Sequence, residues 1–295
     1  MNFKPRGIIP AMVTPLNDDE TIDEPGLRRL VNYLINAGVH GLFAIGTQGE
    51  AYALSFAEKQ RVIEIVVDET RQRVPVYAGT GTITTKEAIA LTQMAERAGA
   101  DAVSVLTPFF ITPSQNEVYE HYAAIARNTR LPILLYPNPA RTNVPLTADT
   151  VVRLAQIENI VGIKDSSGDF TMLNEYIRRA ASDKFDVLVG RDTLIFATLV
   201  CGGKGSIAAT ANAAPRIVVE IYEAFIAGDL ERARQAQARL APLRLAFEIG
   251  TFPVVIKEAL ALMGICGARA KAPVGALSDA QRAQLKTILQ EMKIL

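Results

Sequence analysis

The 295-residue sequence predicts an α/β chain folded as a (β/α)8 TIM barrel with a C-terminal helical extension. Three observations carry that expectation. Eight short β-rich or continuously apolar runs alternate with helical patterns, as strands do when both faces are covered. After about residue 228 only helical patterns remain. The first strand candidate ends in "VTPLNDDE" and lacks the Gly-rich phosphate turn that an open, doubly wound sheet usually places there. The expected division is a barrel over residues 1–228 and an extension over 229–295 packed on it.

The strand candidates, in order, are "GIIPAMVTP" (7–15), "GLFAIG" (41–46), "VPVYAGTG" (74–81), "DAVSVLTP" (101–108), "PILLYPNP" (132–139), "IVGIKDSS" (160–167), "FDVLVGRD" (185–192) and "GSIAATAN" (205–212). Between the second and third, "SFAEKQRVIEIVVDETR" sets Phe56, Val62, Ile63, Val66 and Val67 at helical spacing, and Ser55 with Glu58 reads as a capping box. "TTKEAIALTQMAERAGA" repeats the pattern with Thr84 and Glu87 and stops near Gly99. The extension contributes "DLERARQAQARLAPLRLAFE", "FPVVIKEALALMG" and "SDAQRAQLKTILQEMK".

Hydrophobic residues make up 49% of the chain, enough for a large core. Lys+Arg and Asp+Glu both count 31 with no block of like charges, so the basic footprint of a nucleic-acid binder is missing. Only two histidines, His40 and His121, and two cysteines, Cys201 and Cys266, are present. A zinc site therefore has few ligands, and two buried, reduced thiols are expected. No run approaches the ~20 apolar residues of a membrane helix, and the N-terminus lacks the apolar centre of a signal peptide; a cytoplasmic location is expected.

In such a barrel the chemistry sits at the C-terminal ends of the strands. Lys164 follows Val161, Gly162 and Ile163 within the sixth strand. Burial there disfavours the ammonium, and a neutral amine can attack a ketone to form a Schiff base. The alternative is a rim lysine paired with Asp165. Tyr136 ends the neighbouring fifth strand. Its phenol could move a proton, with a relay because its ordinary pKa is near ~10, or it could simply pack. "GTQGE" (46–50) sets Gly46 and Gly49 around Thr47 and Gln48; this is either a plain tight turn or a loop whose N–H groups and Thr47 hydroxyl meet a carboxylate. Arg141 in "YPNPART" suits bidentate carboxylate binding, or an ion pair with a nearby acid. Lys204 precedes the eighth strand and falls at the opposite end of the barrel.

Together, "GTQGE", "YPNPART", "GIKDSSGD" and "GSIAATAN" resemble the dihydrodipicolinate synthase / N-acetylneuraminate lyase family, and the likeness runs from "GIIPAMVTP" to the C-terminal helices. The resemblance implies a homotetrameric Schiff-base lyase or aldolase that takes pyruvate or another 2-oxo acid and uses no metal or organic cofactor. It implies that Lys164 forms the Schiff base, that Tyr136 donates and accepts protons, and that Thr47 relays them. Gln48 stands at a substrate-binding position, the backbone of Ile207 lies against bound pyruvate, and Arg141 holds the carboxylate of a second substrate. Two departures mark this chain. Gln48 replaces a threonine, and Phe109 and Phe110 replace two tyrosines, the second of which reaches into a neighbouring subunit's site. No histidine follows "GTQGE" as in members with a lysine feedback site, so feedback by lysine is not expected. The alternatives are the lysine-pathway synthase itself and a non-catalytic barrel that binds a 2-oxo acid.

Overall fold

In a computed structural model, which describes residues 3–295, every apolar run forms a strand: β1 Gly7–Pro10, β2 Leu42–Ala44, β3 Val76–Gly79, β4 Ala102–Leu106, β5 Ile133–Tyr136, β6 Ile160–Asp165, β7 Asp186–Val189 and β8 Gly205–Ala208. Neighbours pair in parallel in the order β1-β8-β7-β6-β5-β4-β3-β2. The ring closes through a parallel bridge between Ala11 and Phe43, where Met12 N donates to Phe43 O at 2.9 Å. Each strand is shorter than its run. The residues trimmed from the C-terminal ends, such as 11–15 and 45–46, belong to the βα-loops that build the mouth.

Alternation along the strands sorts the apolar residues into two layers. Each strand contributes one residue to an apolar interior layer: Ile9, Phe43, Tyr77, Ala102, Leu134, Val161, Leu188 and Ile207 pack together inside the barrel. Their neighbours, among them Ile8, Leu42, Ala44, Ile133, Leu135, Val187 and Val189, pack outward against the helices. Phe3 meets Tyr77 edge to face at 5.5 Å, and Arg6 pairs with Asp186 at 3.0 Å. Lys204 N bonds Val187 O ahead of β8, on the side away from the strand ends.

The helix signals fare unequally. Ser55 and Glu58 form the expected reciprocal capping box at the start of the helix Phe56–Thr70. Thr84 accepts from Glu87 N at the start of the helix Thr85–Arg97, but the second half of that box is missing. The Glu87 carboxylate instead accepts from Thr82 Oγ1 at 2.9 Å, because the preceding loop offers a competing donor. The thiol reading also needs correction: both cysteines are free, yet only Cys266 is buried, and Cys201 is exposed beyond the helix Ile195–Val200. Among the described residues no helix is long and apolar enough to cross a membrane.

Beyond Gly228 follow the helices Leu230–Leu245, Val254–Leu262 and Asp279–Glu291. Their tie to the barrel is polar as well as apolar. Lys257 and Glu50 both have fully buried side chains and form an ion pair across the interface. Glu50 also accepts from Lys271 N at 2.7 Å, and Lys257 donates to Arg269 O. Burial pushes the Lys257 amine below its ordinary value, and Glu50 opposes that shift. Removing one member of such a buried pair typically costs about 3–5 kcal/mol, because the other charge is left unpaired in the interior.

Candidate active site

A register shift aims Lys164 into the barrel. Ile133 pairs with Ile160, but the next residue, Leu134, pairs with Gly162, so β6 carries one extra residue. Val161 belongs to the interior layer. Strict alternation from Val161 would turn Lys164 outward; the bulge resets the phase, so that residues three apart both face inward. Gly162 permits this close packing, since a Cβ there would lie 2.5 Å from Asp186 O. The Lys164 ammonium sits 4.1 Å from the Tyr136 ring centroid and 4.8 Å from that of Phe43, and the residue is only 4% exposed. Gly190 closes the other side, because a Cβ would stand 3.1 Å from Lys164 Cε and 1.9 Å from Ser166 Oγ.

The rim pairing of Lys164 with Asp165 does not form. Asp165 takes its hydrogen bonds from Ser167 N and Ser167 Oγ, at 3.1 and 2.9 Å. Burial raises the Asp165 carboxyl to about 6. Among the described residues no carboxylate lies within ion-pairing distance of Lys164. Burial therefore dominates and lowers its pKa, while Tyr136 and the more distant Asp192 partly restore it. A larger share of neutral amine is the chemical consequence.

Tyr136 is the last residue of β5. Its Oη lies 3.1 Å from Thr47 Oγ1 and accepts from Asn138 Nδ2 at 3.3 Å. Burial would raise the phenol, but the charge of Lys164 and the hydrogen-bonding groups of Thr47, Asn138 and Ser166 outweigh it and hold it below its ordinary value. The two titratable groups thus sit side by side, each displaced toward neutral pH.

The loop that presents Thr47 and Gln48 is held from both ends. Ile45 and Glu50 adopt left-handed φ of 48° and 59°, positions that non-glycine residues keep only where the surroundings impose them. Thr14 Oγ1 donates to Gly49 O at 2.7 Å, and Glu50 is fixed by Lys257 and Lys271. Gln48 is 2% exposed, and neither its Oε1 nor its Nε2 has a hydrogen-bond partner. A buried carboxamide left unpaired on both atoms is costly, and both of its atoms remain available to a ligand.

All six residues singled out from the sequence, Lys164, Tyr136, Thr47, Gln48, Ile207 and Arg141, line one cavity of about 370 Å³. The same wall holds residues to which the sequence reading gave no role: Asn138, Ser166, Arg191 and Asp192, which lie in the strand ends, and Arg244, Phe247 and Phe252, which do not. Asn138 and Ser166 each stand two residues past Tyr136 and Lys164, so the strand-end rule pointed at them. Arg244, Phe247 and Phe252 come from the C-terminal extension, and no local pattern marked them. A second cavity of about 700 Å³ adjoins the first, shares Thr47, Tyr136, Arg141 and Phe252 with it, and includes Phe109. Phe110 stands out at the mouth, 90% exposed with a left-handed φ of 77°. Among the described residues no group of three His, Cys, Asp or Glu side chains converges as a metal site. A buried amine beside a hydrogen-bonded phenol in a polar pocket can perform carbonyl addition with proton transfer.

Comparison with known proteins agrees with this chemistry. A family model described as the dihydrodipicolinate synthetase family matches residues 4–292. A 4-hydroxy-tetrahydrodipicolinate synthase of Methanothrix thermoacetophila is 41% identical over 290 residues, covering 98% of each chain. A relative of the same name from Syntrophus aciditrophicus is 42% identical over 98% of this chain and 99% of its own. Among solved structures, the dihydrodipicolinate synthase of Acinetobacter baumannii complexed with pyruvate superposes with a TM-score of 0.95 at 38% identity, covering 98% of this chain and 99% of that one. YagE, a prophage protein from E. coli K12 also in complex with pyruvate, gives a TM-score of 0.95 at 36% identity with the same coverage.

Proposed function

The chain belongs to the dihydrodipicolinate synthetase family, and we propose that it is a Schiff-base-forming lyase that makes or breaks a carbon–carbon bond to pyruvate at Lys164. The observation that carries this reading is the buried Lys164 amine, paired with no carboxylate among the described residues, against the Tyr136 phenol. The neutral amine adds to the C2 carbonyl of pyruvate, and loss of water gives an iminium. Removal of a methyl proton gives an enamine, whose carbon attacks an aldehyde while Tyr136 protonates the new alkoxide. Hydrolysis of the iminium then frees Lys164, and cleavage runs the same steps in reverse. Thr47 passes protons to and from Tyr136 through their 3.1 Å contact. Gln48 and the backbone of Ile207 hold the 2-oxo acid, and Arg141 meets the second substrate. We assign residues 1–228 to the catalytic barrel and 229–295 to an extension packed on it, place the protein in the cytoplasm and expect a homotetramer, with the exposed Phe110 at an interface between subunits.

The test is exchange of the pyruvate methyl protons in deuterated water. The enamine requires exchange above the uncatalysed rate; exchange at background would contradict catalysis and favour a barrel that only binds 2-oxo acids.

The second reading is 4-hydroxy-tetrahydrodipicolinate synthase, the name its relatives carry, with aspartate semialdehyde as the aldehyde. Arg141 favours it, whereas Gln48 and Phe110 depart from the pattern. An assay coupled to the downstream reductase decides. Turnover supports the synthase, while background turnover with methyl exchange intact eliminates it.

A further inference from the structure

We propose that Lys257 is a positioning residue for the reaction: acting through Glu50, it sets the Thr47 hydroxyl against the Tyr136 phenol, and so makes the C-terminal extension a support of the proton transfer. The inference rests on the Schiff-base reading and deepens it by naming what aligns the pair that moves the proton.

Thr47 opens a turn that Glu50 closes, with Glu50 N donating to Thr47 O at 3.2 Å. Ala51 N donates back to Gly46 O, also at 3.2 Å, so these bonds within the loop are long. The turn is packed on its barrel side, because a Cβ on Gly49 would stand 3.0 Å from Met12 O. On the other side it is held by the Glu50 carboxylate. Glu50 Oε1 accepts from Lys257 Nζ, and Oε2 accepts from Lys271 N at 2.7 Å. Lys257 is itself aimed by donating to Arg269 O, so the helix Val254–Leu262 and residues 269–271 grip one carboxylate together. The Lys271 side chain then reaches Glu58 at 2.7 Å, in the first turn of the helix Phe56–Thr70, and ties down the far end of the same βα-connection.

Position is what this pair supplies. A fully buried ion pair gains little stability over apolar side chains of similar volume, because both charges lose their water. A group locked by such contacts is held to within about 0.5 Å. That precision matters at Thr47. Its Oγ1 lies 3.1 Å from Tyr136 Oη, already long for a bond between hydroxyls, so a small shift of the turn breaks the contact.

The experiment follows pyruvate methyl exchange in deuterated water, with borohydride trapping and a melting curve for each variant. Lys257→Met leaves the Glu50 charge buried without a cation, so it is combined with Glu50→Gln, which removes both charges and keeps an acceptor for Lys271 N. This double variant is expected to melt closer to wild type than Lys257→Met alone and to trap pyruvate at Lys164. It should nevertheless exchange roughly 10–100-fold more slowly, the scale of a misplacement of about 1 Å. Thr47→Val supplies a readout that a merely structural role would not move. Two losses that run through one hydroxyl overlap, so Thr47→Val should slow exchange strongly in the wild-type background and only slightly in the double variant. Glu50→Asp keeps both charges but shortens the link by one methylene; it should show the same slowing and the same overlap, and it carries the comparison where the double variant does not fold. Exchange at the wild-type rate in these variants would overturn this inference alone. So would a Thr47→Val loss of equal size in every background. A wild type that neither traps pyruvate nor exchanges its methyl protons would overturn the Schiff-base reading and this inference with it.

Discussion

Replacing Lys164 with methionine is expected to abolish turnover and pyruvate methyl exchange together, lowering kcat by more than about 10⁴-fold, the scale on which removal of a covalent nucleophile falls. Methionine matches the lysine stem closely and suits the apolar contacts of the Phe43 and Tyr136 rings, so the fold should survive. Losing a buried amine that has no carboxylate partner should even relieve a desolvation cost, and thermal stability is expected to hold or rise. Steady-state kinetics, the exchange assay and a melting curve check the three parts. A variant that melts normally yet keeps exchange would show that some other group activates pyruvate.

The second large effect is expected in Tyr136→Phe. The ring keeps its packing, but the phenolic proton and its contacts with Thr47 and Asn138 are gone. Loss of a positioned acid–base group typically costs ~10²–10⁴-fold, and here it should appear in kcat, with pyruvate binding changed much less. The pH profile gives a separate readout. Adduct formation needs the neutral amine, so its rate falls as pH drops through the Lys164 pKa and ammonium accumulates. Burial already lowers that pKa, and Tyr136 pushes it back up. Without the phenol the acid limb should shift to lower pH even as turnover falls. An unmoved limb would mean that the two groups do not interact, and an undiminished kcat would remove Tyr136 from the mechanism.

Much of this site was legible in the sequence because the barrel converts strand order into position. Each strand is buried on both faces and so appears as an unbroken apolar run, and the sixth run placed Lys164 while the fifth placed Tyr136. What could not be read was set by pairing and tertiary contact. The direction of Lys164 depends on the bulge between Ile133/Leu134 and Ile160/Gly162, a property of two strands together. The hold on the Thr47–Gln48 loop comes from Lys257, 207 residues from Glu50 in sequence. Arg244 reaches the cavity from the helix Leu230–Leu245 and Phe252 from the turn before the helix Val254–Leu262, and the helical spacing around them speaks only of packing. Thr84 and Glu87 had the residues of a capping box, but Thr82 competed for the carboxylate. Gln48 was visible as a departure from the family pattern; its burial without a hydrogen bond on either amide atom was not.

The central claim is that Lys164 itself bonds to pyruvate. The direct measurement is reduction of the wild-type protein with borohydride in the presence of pyruvate, followed by peptide mass mapping. The account predicts one reduced pyruvyl adduct per chain, on the peptide that contains Lys164. An adduct on another lysine, or none under conditions that label the dihydrodipicolinate synthase of Acinetobacter baumannii, would contradict it.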